Sequence, residues 1–104
     1  MKTQKQQGDV LLRRVDALPI NSKQVDRQNG RIIVMHGENG HTHAIDDVDA
    51  MLYEKDGKFY LHATKPVKIV HEEHHTQTIE QGIWEIGQVK EYDYFQEMGR
   101  TVRD

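Results

Sequence analysis

The stretch Ala50-Met51-Leu52-Tyr53-Glu54-Lys55-Asp56-Gly57-Lys58-Phe59-Tyr60-Leu61-His62-Ala63 decides the fold. Two runs rich in aromatic and aliphatic residues flank Asp56-Gly57, a pair favoured in two-residue type I′ hairpin loops because both positions need positive φ. Closing the loop there pairs Lys55 with Lys58, Glu54 with Phe59, Tyr53 with Tyr60, Leu52 with Leu61 and Met51 with His62. One face then carries Leu52, Phe59 and Leu61, and the other Met51, Tyr53, Tyr60 and His62.

The flanking segments also read as strands. Pro66 separates the hairpin from Val67-Lys68-Ile69-Val70-His71, where alternation puts Val67, Ile69 and His71 on one face. Residues 77–88 read as a second hairpin turning near Gln81-Gly82, anchored by Ile79, Trp84 and Ile86. Residues 89–95 continue as a strand, and Thr101-Val102 reads as a last edge strand. Upstream, Arg31-Ile32-Ile33-Val34-Met35 is the most apolar run and predicts a central strand covered on both faces. Residues 21–30 predict a loop ending in the Asn29-Gly30 turn, and residues 44–49 an acidic turn. Gly8-Asp9 opens the strand Val10-Leu11-Leu12-Arg13-Arg14-Val15, while residues 1–7 read as a polar, flexible lead-in. No window carries a helical stripe. The expectation is an all-β single domain over residues 1–104, a small antiparallel β-barrel or sandwich with little or no helix.

Composition narrows the function classes. The chain has 104 residues, 36% hydrophobic and 30% charged, which suits one modest core. So polar a small domain is expected to complete its burial as a homo-oligomer. A net charge of −3 with interspersed signs lacks the basic stripe of a nucleic-acid binder. No segment approaches the ~20 apolar residues of a membrane helix, and no apolar run follows Met1 to Gln7, so a cytoplasmic protein is expected. Cysteine is absent, so any metal must be held by nitrogen and oxygen.

Six of the seven histidines fall in two clusters, His36-Gly37-Glu38-Asn39-Gly40-His41-Thr42-His43 and His71-Glu72-Glu73-His74-His75. On a strand, His41 and His43 would project to the same side about 6.5–7 Å apart, close enough to share an ion. His71, facing inward on a neighbouring strand, would supply a third nitrogen. Glu38, Asp47, Glu73 or His75 could complete the shell, and His36 could orient a ligand from behind. The expected centre is a divalent transition metal (zinc, nickel, iron or manganese) on His41, His43, His71 and His75, with Glu38 or Glu73 as general acid or base. His71 and His75 also satisfy the zinc-protease pattern His-Glu-x-x-His. On an extended chain, however, they would lie about 13 Å apart, whereas that chemistry needs a helix.

The order of these parts resembles the cupin superfamily, small β-barrels that often hold a metal through His-x-His, a glutamate and a later histidine. The likeness covers His41-Thr42-His43, Asp47 at the glutamate spacing, and Pro66 five residues before His71. Four positions depart from it: aspartate at Asp47, Met35 and Lys68 where the motifs have glycine, and His75 where the second has asparagine. The chain is also similar to a group of small uncharacterised bacterial and phage proteins. They share a Gly-Asp-Val start (Gly8 to Val10), a His-Gly-Glu-x-x-Gly-His-x-His segment (His36 to His43), a His-Glu-Glu-His segment (His71 to His74) and a closing strand before an acidic-aromatic run.

Three functions follow as expectations. The first is a metal-binding barrel acting on or sensing a small-molecule ligand. The second is a non-catalytic oligomeric accessory module whose Met51, Tyr53 and Tyr60 face is an interface. The third is a pH-responsive switch built from clustered imidazoles.

Overall fold

The Asp56-Gly57 hairpin forms in the register its sequence predicts, from Lys55 opposite Lys58 to Met51 opposite His62. Asp56 and Gly57 have φ of 52° and 81°, the left-handed pair a type I′ turn requires. A computed structural model describes residues 3–36 and 42–88 of the chain. These form ten strands and no helix: β1 (Gln4–Gln7), β2 (Val10–Val15), β3 (Lys23–Val25), β4 (Ile32–His36), β5 (Thr42–Ile45), β6 (Ala50–Lys55), β7 (Lys58–Ala63), β8 (Val67–Val70), β9 (Gln77–Ile79) and β10 (Gly82–Gln88).

The strands make two antiparallel sheets, one in the order β1-β2-β10-β7-β6-β3 and one in the order β4-β5-β8-β9. Alternation builds the core between them. Val10 and Leu12 of β2, Leu61 of β7 and Trp84 and Ile86 of β10 come from the first sheet. Ile32 and Val34 of β4, Ile45 of β5, Val67 and Ile69 of β8 and Ile79 of β9 come from the second, and all join one buried cluster. Lys68, between Val67 and Ile69, is exposed as period-two alternation requires. This is an all-β, antiparallel architecture, as expected from the sequence reading of a small barrel or sandwich.

Several local readings change. The supposed lead-in supplies β1, which pairs with β2 across the two-residue loop Gly8-Asp9. Gly8 has φ +58°, a conformation glycine adopts without a Cβ clash. The loop at residues 21–30 contains β3, which closes the edge of the large sheet against β6. Its Asn29-Gly30 turn does form, with reciprocal Gln28 and Arg31 backbone hydrogen bonds. Ala44 and Ile45, read as part of a turn, extend β5.

Among the described residues the apolar run at β4 pairs with β5 alone and ends the small sheet, where a central strand was expected. The second hairpin at residues 77–88 does not exist, because β9 pairs with β8 in one sheet and β10 with β2 and β7 in the other. The chain changes sheets at Glu80-Gln81. The strands expected at residues 89–95 and at Thr101-Val102 lie outside the described residues. No described helix is long and apolar enough to cross a membrane.

Candidate functional site

The antiparallel register brings His43, the last residue of the first histidine cluster, against the second cluster at one end of the small sheet. Ala44 pairs with Val70 and Ile45 with Ile69, so one step further His43 stands beside His71. His43 shares the strand face of Ile45 and points inward, 1% exposed. Past the end of β8 the chain turns without regular structure through residues 71–76, and the Thr42 N–H donates to Glu72 Oε2 at 3.3 Å. The imidazoles of His43, His71 and His74 form a compact group, with ring centroids 4.3 Å apart for His43 and His71, 4.6 Å for His71 and His74 and 5.9 Å for His43 and His74.

The other sheet contributes Gln7 and Asp9, on either side of Gly8 in the β1–β2 turn. Gln7 is buried and makes three hydrogen bonds across the sandwich. Its Nε2 donates to the carbonyl oxygens of Ile69 and His75, each at 2.9 Å, and its Oε1 lies 2.9 Å from His43 Nδ1. The Asp9 carboxylate accepts a 3.0 Å hydrogen bond from Gln88 Nε2 at Oδ2 and turns Oδ1 to within 3.3 Å of His43 Nε2.

Two pKa shifts follow. Burial pushes the His43 imidazole below its ordinary value, the nearby His71 adds to this, and Asp9 opposes it without prevailing. For Asp9, burial works to raise the carboxyl, but the Gln88 hydrogen bond, its own backbone N–H and His43 together bring it below the usual value. Near neutral pH the pair is therefore a neutral imidazole facing a carboxylate.

The shift of His43 has a sign. A histidine whose folded pKa lies below its unfolded value, about 6.5, contributes stability that is present above that value and is lost as pH falls through the folded pKa. Chelator-treated protein should therefore unfold at lower urea at pH 5 than at pH 8, and His43→Phe should flatten that slope. Equal midpoints at the two pH values would contradict it.

Gly8 lies beneath the His74 ring: an added Cβ would stand 2.5 Å from His74 Nε2. Gly8→Ala is expected to lose about 1–2 kcal/mol, from an L residue held at positive φ, and to displace the His74 ring. Urea denaturation reads the first effect, and the His74 ring resonances read the second.

The expected site residues divide as follows. His43 and His71 are brought together. His41 and Glu38 lie outside the described residues, as does the side chain of His36. His75 contributes its backbone oxygen to Gln7, while the ring that joins the cluster belongs to its neighbour His74. His71 Nδ1 accepts the Glu73 N–H at 3.0 Å, so in this arrangement its neutral ring carries the proton on Nε2. The exposed Glu73 meets the cluster there through its backbone N–H. The Asp47 carboxylate accepts the Lys68 N–H and ties the β5–β6 link to β8. His62 lines a separate cleft of about 300 Å³ with Arg14, Asp16 and Gly82. Of the proposed interface face, Tyr60 is buried, and Tyr53 Oη donates to Met51 Sδ at 3.8 Å.

Among the described residues no three histidine, aspartate or glutamate side chains already stand in an arrangement that could hold a metal ion. Gln7, Asp9 and His74 are the participants that sequence reasoning missed. Fold and site define an all-β, two-sheet domain with a histidine cluster packed against a glutamine–aspartate turn. The family model described as a domain of unknown function, DUF8820, matches residues 6–88, and the chain belongs to that family. No curated protein and no solved structure matches the chain.

Proposed function

We propose that this domain binds one divalent transition metal ion at the corner between His43 and Asp9, with the exposed His74 turning in as third donor. The observation that carries this reading is the 3.3 Å approach of His43 Nε2 to Asp9 Oδ1. With Gln7 Oε1 accepting a hydrogen bond from Nδ1–H, a neutral His43 presents its Nε2 lone pair to a carboxylate, and two acceptors at that distance call for a cation between them. Two donors each about 2.0–2.1 Å from a tetrahedral ion stand roughly 3.3–3.4 Å apart, which matches the separation of these atoms.

Two imidazoles and one carboxylate form an all-N/O donor set suited to zinc, nickel, iron or manganese, without the thiolates of structural zinc sites. Three protein donors leave a coordination position for water or a small-molecule ligand, so the reading is a metal centre that engages a small molecule. Protein purified without a histidine tag is expected to retain or take up about one ion per chain. Absence of bound metal, together with no heat on titration with zinc, nickel or manganese, would overturn the reading.

A further inference from the structure

Gln7 is the only described residue besides His43 that is both polar and buried, and its amide has no freedom of orientation. Both amide protons are used by the carbonyls of Ile69 and His75. Reversing the amide would set its oxygen against two carbonyl oxygens. The oxygen must therefore face His43 Nδ1, and an amide oxygen can only accept. We infer that Gln7 is a positioning residue that holds His43 as its Nδ1–H tautomer and thereby reserves Nε2 for the Asp9 side.

The arrangement spans both sheets. Gln7 ends β1 in the large sheet, its donors hold a β8 carbonyl and the turn beyond it, and its acceptor holds the β5 histidine of the small sheet. Strand pairing thus sets the tautomer: where β1 docks decides which ring nitrogen is bare. Without Gln7, the preferred state of His43 reverses, because an Nε2–H could donate to Asp9 Oδ1. The tautomer assignment stands without any ion, and its effect on affinity rests on the metal reading above. In metal sites, loss of the partner that orients a histidine typically weakens binding about 10–100-fold.

Long-range nitrogen–proton NMR of the metal-free protein at pH 8 tests this directly. Wild type should show His43 protonated on Nδ1 and bare on Nε2, with a slowly exchanging Hδ1 giving cross-peaks to the Gln7 side chain. In Gln7→Met the ring should move to the Nε2–H tautomer, and zinc affinity should fall by about 10–100-fold. A wild-type His43 protonated on Nε2 overturns the inference, as does a folded Gln7→Met that keeps the Nδ1 proton. Should that variant fail to fold, the wild-type spectrum decides alone. A wild type with the expected tautomer that takes up no zinc would sink the metal reading and leave the Gln7 assignment intact.

Discussion

His43→Ala is expected to abolish metal uptake and to destabilise the metal-free domain by about 3 kcal/mol or more. The two effects have separate causes. Removing Nε2 takes away one of the two atoms that face the proposed ion, and a lost ligand should weaken binding by more than the roughly 100-fold upper range seen when only an orienting partner is lost. Removing the ring leaves a void at a site 1% exposed and leaves the buried Gln7 Oε1 without a donor. Asp9→Asn separates the two. Its side chain is 41% exposed, so the variant should fold with little change in urea midpoint yet lose the ion. Calorimetric titration and urea melts of both variants give the four numbers. Wild-type affinity in Asp9→Asn would remove Asp9 from the site.

Trp84→Ala should have the largest effect on stability alone, about 3–5 kcal/mol. Trp84 is fully buried between the sheets, its Nε1 donates to the Glu80 carbonyl at 2.9 Å, and Arg14 lies over its ring at 5.6 Å. The Glu80 hydrogen bond sits where the chain crosses from β9 to β10, so the indole both fills the core and pins the sheet change. Small domains have about 5–15 kcal/mol in total, so the loss removes a large share of the stability and should lower the unfolding midpoint strongly. Urea or thermal melts followed by far-ultraviolet circular dichroism would read it, and a change below about 1 kcal/mol would contradict the core described here.

The parts legible in the sequence are those set by local chemistry. Asp56-Gly57 determines its hairpin because few other pairs accept two successive positive φ angles. The alternation in Val67-Lys68-Ile69 determines which face is buried. Gly8-Asp9 carried the same kind of signal, since Gly-Asp is also a hairpin pair, but the polar residues before it disguised β1 as a frayed end. They are polar because β1 is the end strand of the large sheet among the described residues, and its one buried side chain, Gln7, makes cross-sheet hydrogen bonds.

Non-local facts were hidden. The run at β4 is apolar because its inner face is buried, and hydrophobicity does not report how many strands flank a strand. Glu80-Gln81 resembles a hairpin turn, and nothing nearby in sequence distinguishes a hairpin from a crossing between sheets. At the site, strand alternation was enough to point His71 toward His43. Asp9 stayed invisible because only the docking of the β1–β2 turn against β5 brings it to a histidine so distant in sequence.

The most direct test of the metal centre is a crystal structure of tag-free protein soaked in zinc, with anomalous data collected at the zinc edge. One strong peak per chain is expected, bonded to His43 Nε2 and Asp9 Oδ1 at about 2.0–2.2 Å, with His74 turned toward it. A map with no peak at that corner, and His43 Nε2 still 3.3 Å from Asp9 Oδ1, would contradict the metal centre.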